Sequence, residues 1–387
     1  MLVQTLKGFR DFLPKEARKR EFVISTLKKV FSSYGFEPLE TPALEYEEIL
    51  AGKYGDEGEK LMYRFEDLGG RRVAMRYDQT VPLARVIAQY TNALPLPFKR
   101  YQIQNVYRAE NTQKGRYREF LQVDIDTVGS SYLLADAEII SIAIKAYEAL
   151  GFNNFKVKIN DRAIFEEVDN KAVVILDKID KIGIGKVKEE LEANGLSPDL
   201  IDKISNKQQT ENIKGVLKKL DTLGVSKTSI QFSPTLARGL DYYTGLIFEV
   251  KSGTYESGSL GAGGRYDDLI GIFSGSKIPA VGFSFGIDRI IEAMDGQNLF
   301  PDDLGGTKVL VTNTSGRAAQ IANELREKNI NAQLYVDEKD LDKQLRYADK
   351  KQIPYVLIVT DDKLELKDMK TGDQKEITLD QLPHKLQ

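Results

Sequence analysis

The chain has 387 residues, with 55 Lys plus Arg against 58 Asp plus Glu and a formal charge of -3, so it is long enough for two or three domains and carries no global basic field toward a polyanion. It contains no Cys and one His, His384, which excludes thiol nucleophiles, disulfides, Cys/His zinc sites and the Ser-His-Asp template. Its composition is that of a globular protein, no apolar run is long enough to span a bilayer, and the opening stretch is broken by charge, so the sequence predicts a cytoplasmic protein with no membrane partner.

Pro14 marks a helix start, with Val23, Leu27, Val30, Phe31 and Tyr34 on its apolar side and Gly35 as its stop. The runs RRVAMRY, PFKRYQIQNVYRAE and REFLQVDIDTVG have the aromatic, β-branched and alternating character of strands. A helix is predicted over about Asp136 to Leu150, with Ile139, Ile140, Ala143 and Tyr147 on one face and Gly151 behind it. Strands resume around Ile230 and Leu246. Between them the texture turns Lys/Glu/Asp-rich, with Ile213, Val216, Leu217, Leu220 and Leu223 at helical spacing, and a helical insertion is expected over about 162–228. PDDLGGT, Pro301 to Thr307, has linker chemistry. Beyond it KVLVTNT, NAQLYVD and YVLIVTD alternate with two helical stretches, as in a parallel sheet with crossover helices, and LELKDM and QKEITL around KTGD predict an added hairpin.

Strand parity gathers the chemistry. In REFLQVDID, residues Arg118, Phe120, Gln122, Asp124 and Asp126 share one face while Leu121, Val123 and Ile125 share the other. Arg108 and Glu110 likewise share a face, and read as a strand AMRYDQT aligns Arg76, Asp78 and Thr80. Such faces are either a ligand surface or a solvated side of a sheet, and parity leaves both open. The hairpin loop NTQKGRYRE adds Lys114, Arg116 and Arg118, forks suited to a polyphosphate, although an isolated basic hairpin is more often a solvated turn. RGLDYYTG is too polar for a core strand, GAGGRYDDL permits close backbone approach to a ligand, and VGFSFGIDRI ends in Asp288 and Arg289 at a strand-to-helix junction. No GxxxxGK[ST] run is present, so a P-loop is not supported.

Taken together, YGFEPLETP with Pro42, VYRAE through REFLQVDID, and VGFSFGIDRI resemble motifs 1, 2 and 3 of the class II aminoacyl-tRNA synthetases. KGFRDFLP, RGLDYYTG and GGRYDDL resemble signatures of the histidyl-tRNA synthetase family within that class. The resemblance implies an α+β catalytic domain, an antiparallel sheet flanked by helices, over residues 1–301 with the helical insertion, then a linker over 302–306 and an α/β anticodon-binding domain over 307–387. It also implies ATP-dependent attachment of L-histidine to tRNA(His) through a histidyl-adenylate, with Mg²⁺ carried by ATP, no protein ligand assigned to the metal, and a homodimer built on motif 1.

Carried over by position, Arg108 would bind the ATP α-phosphate and the histidine carboxylate, Glu110 and Arg116 the adenine side and phosphates, Phe120 the adenine ring, and Arg289 the γ-phosphate. Asp78, Thr80 and Gln122 would receive the α-ammonium. Asp126 and Tyr243 would read the imidazole nitrogens, Tyr242 would complete the wall, and Arg238 would stabilise charge on the α-phosphate. Asp124 shares the face but matches no family ligand position, and hydrogen bonding to the loop is its expected role. RYDQT and QVDID replace the Arg-Pro-Glu-x-Thr and Glu of the bacterial form and resemble the eukaryotic and archaeal branch. In the C-terminal unit Lys339, Lys343, Arg346 and Lys350 form a stripe at helical spacing, suited to tRNA phosphate. The alternative reading is the non-catalytic regulatory subunit of ATP phosphoribosyltransferase, which shares the catalytic fold; the intact Arg108, Arg238 and tyrosine pair and the added C-terminal unit weigh against it.

Overall fold

The computed structural model of the chain describes residues 3–52, 61–112, 116–238, 242–255 and 258–386, and the polypeptide divides into two units, Met1–Phe300 and Pro301–Gln387. In the first unit the strands are β1 (Glu37–Pro38), β2 (Leu44–Tyr46), β3 (Arg64–Glu66), β4 (Arg72–Met75), β5 (Phe98–Tyr107), β6 (Glu119–Val128), β7 (Phe155–Asp161), β8 (Ile230–Phe232), β9 (Leu246–Ser252), β10 (Gly261–Arg265) and β11 (Ala280–Gly286). Eight of them form one sheet in the order β1-β5-β6-β11-β10-β9-β7-β8, and β2-β4-β3 form a small separate sheet. The large sheet is antiparallel from β5 through β7, with parallel pairs only at its margins, β1 with β5 and β7 with β8.

The alternation in β6 decides which side of this sheet is dry. Val123 and Ile125 join the core with Val23, Leu27 and Phe31 of the helix Pro14–Ser33 and with Ile139, Ile140 and Tyr147 of the helix Leu133–Ala149. Because side chains alternate, Gln122, Asp124 and Asp126 must project from the opposite face. The first helix starts at Pro14, which lacks the N–H that would be an orphan there, and ends before Gly35, whose φ of +75° favours glycine.

Two expectations are corrected. The alternation read through AMRYDQT fails because β4 stops at Met75 and a helix, Thr80–Gln89, begins at Thr80. Arg76 turns inward instead and donates to Asn105 O at 2.8 Å and Thr41 O at 2.6 Å. The helical insertion is also shorter as a packing unit than 162–228. Ile164, Phe165, Val173, Leu176, Val187, Leu191, Ile201 and Ile204 build a core of their own, whereas Ile213, Val216 and Leu220 of the helix Glu211–Thr222 join the main core. A Cβ at Gly215 would lie 2.6 Å from Leu133 Cδ1, so this helix seats directly on the start of Leu133–Ala149.

Arg265 of the GGRYDDL segment is structural. Its Nε donates to Asp136 Oδ1 at 3.0 Å, a second nitrogen reaches Oδ2, and NH1 donates to Ser130 O at 2.9 Å. Both partners are buried, so Arg265→Met should cost about 3–5 kcal/mol by leaving a buried carboxylate unpaired. Urea unfolding would measure this, and adding Asp136→Leu should recover much of the loss.

In the second unit β12 (Val309–Val311), β13 (Ala332–Leu334), β14 (Tyr355–Val359), β15 (Leu364–Asp368) and β16 (Gln374–Glu376) form a sheet in the order β13-β12-β14-β15-β16. The pairs of β12 with β13 and β14 are parallel, and the remaining pairs are antiparallel. The helices Ala318–Glu327 and Leu341–Lys350 make the crossovers. Val309, Val311 and Leu357 pack with Leu325 on one face, and Leu310, Val356 and Ile358 pack with Ala348 on the other, which is why the strands read as continuous apolar runs.

Candidate active site

The polar face of β6 forms part of the wall of a cleft of about 1130 Å³. The glycines of β10 and β11 open it. A Cβ at Gly282 would stand 1.9 Å from Asp126 Oδ1, and one at Gly264 would stand 2.8 Å from the Tyr243 ring. Neither residue has a positive φ, so these glycines serve close approach, not backbone conformation.

One end of the cleft is acidic. Asp126 Oδ1 accepts from the Tyr266 hydroxyl, and Oδ2 lies 2.8 Å from the guanidinium of the fully buried Arg100. Asp124 accepts from Gln122 Nε2 at 2.7 Å and lies 4.0 Å from the same guanidinium. Burial pushes the Asp126 carboxyl up to about 6; Arg100 opposes this and the Asp124 charge adds to it. Burial likewise raises the Tyr266 and Tyr243 hydroxyls, the latter against the pull of Arg238. The rings of Tyr242 and Tyr243 stand 4.6 Å apart, and Tyr266 meets Tyr242 edge-on at 5.8 Å.

The other end is cationic. Arg108 Nε donates to Tyr77 O at 2.9 Å while its guanidinium stands 5.0 Å from the centre of the Phe120 ring. Glu110 lies 3.9 Å from Arg108 and 3.7 Å from Arg116, and Arg289 donates to Ser259 O at 3.0 Å. Arg238 stands instead with the tyrosines of the first end: burial penalises its cation, but Tyr243, Glu249 and Asp177 outweigh that and raise its pKa. KGFRDFLP braces this end, Gly8 O accepting from Arg118 N at 2.9 Å and Arg10 reaching Asp288 at 2.8 Å; Arg20 of the following helix reaches Asp288 at 3.0 Å, and Arg118 Nε donates to Glu110 O at 3.1 Å.

Thr80, Arg108, Glu110, Arg116, Phe120, Gln122, Asp126, Arg238, Tyr242, Tyr243 and Arg289 all line this cleft. Asp78 is buried between two lining residues, Tyr77 and Thr80, and accepts from Val81 N at 3.4 Å at the start of the helix Thr80–Gln89. Lys114 and Gly239 to Asp241 lie outside the described residues. In the second unit Lys343, Arg346 and Lys350 sit on the helix Leu341–Lys350 and Lys339 just before it; Lys339 pairs with Asp337 at 3.3 Å and Lys343 with Asp340 at 3.4 Å. Sequence reasoning missed Arg100 and Tyr266 as members of the site. The signal was there for Tyr266, inside a recognised motif, and weaker for Arg100, which shares its parity on β5 with Gln102, Gln104 and, just past the strand, Arg108.

The histidyl-tRNA synthetase family model matches residues 8–182 and 183–290, and the anticodon binding domain model matches 307–387. The chain belongs to the histidyl-tRNA synthetase family. It is 39% identical to a histidine–tRNA ligase of Cytophaga hutchinsonii over 98% of each chain. The crystal structure of histidyl-tRNA synthetase from Nostoc sp. PCC 7120 superposes with a TM-score of 0.85 at 30% identity, covering 100% of this chain and 99% of that one. An ATP phosphoribosyltransferase regulatory subunit/histidyl-tRNA synthetase from Bacillus halodurans shares the fold, with a TM-score of 0.71 at 24% identity over 90% of this chain and 97% of that one. Fold alone therefore does not separate catalyst from regulatory subunit, and the residues of the cleft must do so.

Proposed function

We infer that the chain attaches L-histidine to tRNA(His) in two steps, ATP activating the carboxylate as histidyl-adenylate and the tRNA ribose then taking the acyl group. The observation that carries this reading is the polarity of one cleft: Arg108, Arg116 and Arg289 with Phe120 and Glu110 suit a nucleotide, Asp126 among Tyr242, Tyr243 and Tyr266 suits an imidazole, and Arg238 lies beside Tyr242 and Tyr243. Arg108, whose charge also acts on Asp124, is the residue we assign to hold the α-phosphate and the attacking carboxylate in line. Phe120 offers a π-face to adenine, and Glu110 with Arg116 frames its side of the nucleotide. Gln122, Thr80 and Asp78 are the acceptors we assign to the α-ammonium. Arg238 meets the charge that builds on the α-phosphate.

Mg²⁺ carried by ATP would spread the phosphate charge; no protein ligand is assigned to it, and among the described residues no group of three or more His, Cys, Asp or Glu could hold a metal ion. We assign the basic stripe of the second unit to tRNA phosphate, with Lys343, Arg346 and Lys350 its exposed cations on the helix. Exposed apolar residues Leu44, Tyr46 and Phe65 on the small sheet next to motif 1 support a homodimer through that face. Among the described residues no helix is long and apolar enough to cross a membrane, and the use of tRNA and ATP supports a cytoplasmic location.

ATP–pyrophosphate exchange, with each amino acid supplied separately and no tRNA, tests the reading. Exchange is expected with histidine alone, others being rejected by about 10⁴-fold because a site built to bond ring nitrogens is left unpaired without them. Absence of exchange with every amino acid would favour the regulatory-subunit alternative.

A further inference from the structure

Arg100 is 0% exposed, yet it is an arginine on β5, the second strand of the large sheet. It stands opposite Asp126 in the β5–β6 register, 2.8 Å from Asp126 Oδ2 and 4.0 Å from Asp124 Oδ2. The contact with Asp126 is one of charge, since among the described residues neither Asp126 Oδ2 nor Arg100 Nε has a hydrogen-bond partner; the guanidinium's hydrogen bonds are weak, NH1 donating to Gln102 Oε1 at 3.2 Å and NH2 to Gln79 O at 3.5 Å. Two buried carboxylates thus share one guanidinium. Such a cluster is poor material for stability, since apolar side chains of similar volume would pack there without the desolvation cost. Its position explains it better. It lies directly against the carboxylate assigned to the histidine ring, and nothing in the catalytic steps above uses Arg100 or Asp124.

We propose that Arg100 and Asp124 form a positioning pair for histidine recognition: Arg100 pins one oxygen of Asp126 and keeps the group an ionised acceptor, while Asp124, sharing the guanidinium, limits that pull. The groups that face Asp126 are Arg100 from β5, Asp124 from its own strand, Tyr266 from the turn after β10, and Tyr243 from the segment before β9, with only Gly282 opposite it on β11. Arg100 is therefore the one cation in contact with the carboxylate among the described residues. Because Asp126 already titrates near 6 with Arg100 in place, losing the cation raises it further and losing the neighbouring anion lowers it.

The proposal rests on the assignment of Asp126 to the histidine ring. Its test is the pH profile of 1/KM for histidine in ATP–pyrophosphate exchange by the full chain, for the wild type, Arg100→Met, Arg100→Lys and Asp124→Asn. The titration of free histidine is common to all four and cancels in the comparison. In Arg100→Met the acid limb should move up by about one to three pH units, with histidine KM at pH 7 raised about 10-fold or more and KM for ATP unchanged. Arg100→Lys should return part of the shift, and Asp124→Asn should move the limb the other way. A merely structural role would lower the active fraction at every pH and leave the limb in place, which in folded Arg100→Lys and Asp124→Asn would overturn the proposal. Should Arg100→Met fail to fold, those two variants decide it. No histidine-dependent exchange in the wild type would remove the functional reading and this pair with it, whereas an active wild type with unmoved limbs would remove the pair alone.

Discussion

Arg238→Ala should slow histidyl-adenylate formation by about 10² to 10³ while the chain stays folded. The guanidinium lines the cleft beside Tyr242 and Tyr243, and its Nε has no hydrogen-bond partner among the described residues. Its charge is held in place by neighbours: Tyr243, Glu249 and Asp177 raise its pKa against burial, so it stays a cation through the working range. A cation fixed before the reaction, in a partly water-excluded wall, stabilises developing phosphate charge without reorganising. Its loss should fall on kcat more than on KM, because the interaction strengthens as charge builds. Arg238→Lys should recover only part, since an ammonium lacks the fork that spans two phosphate oxygens. Single-turnover adenylate formation at saturating ATP and histidine measures this, with thermal unfolding as control. A near wild-type rate in a folded variant would strip Arg238 of the role.

How far the sequence could be read follows from the kind of signal each element carries. Alternation in REFLQVDID was legible because β6 runs unbroken from Glu119 to Val128, so one face had to be core; that the other is a cleft wall and not a solvated side is seen only in the fold. The same argument misled in AMRYDQT, since parity presumes the strand continues and says nothing of a strand that ends at Met75. Helical spacing revealed the helix Glu211–Thr222, but an amphipathic stripe tells which side is buried and not against what; that Ile213 and Val216 face Leu133–Ala149 instead of the insertion is tertiary information. Buried charge is the hardest case. Composition places arginines outside, so Arg100 and Arg265 become visible as interior residues only when the strands that carry Asp126 and the helix that carries Asp136 are folded against them. The signatures were legible as patterns, yet GGRYDDL did not reveal that its arginine holds a helix while the next residue, Tyr266, donates to Asp126.

Gly282→Ala isolates the histidine end of the cleft from the ATP end. By strand preference alone alanine should be better at this position, since glycine in an element interior is about 0.5–1 kcal/mol worse than alanine. The geometry reverses that expectation. Gly282 lies opposite Asp126 in the β6–β11 register, and a Cβ there would be 1.9 Å from Asp126 Oδ1 and 2.9 Å from Ile125 O. The carboxylate has short reach, with Oδ1 accepting from Tyr266 and Oδ2 paired by charge alone with Arg100 at 2.8 Å, so it must leave its place or push the strands apart. A displacement of about 1 Å in a group that reads the substrate costs on the order of 10²-fold, and that loss is expected in kcat/KM for histidine. The atoms nearest this methyl belong to Asp126 and Ile125, so KM for ATP should hold. Exchange assays with histidine and ATP titrated in turn separate the two ends. Equal losses for both substrates would mean that the sheet itself had moved, and an unchanged histidine KM would mean that Asp126 does not read the ring.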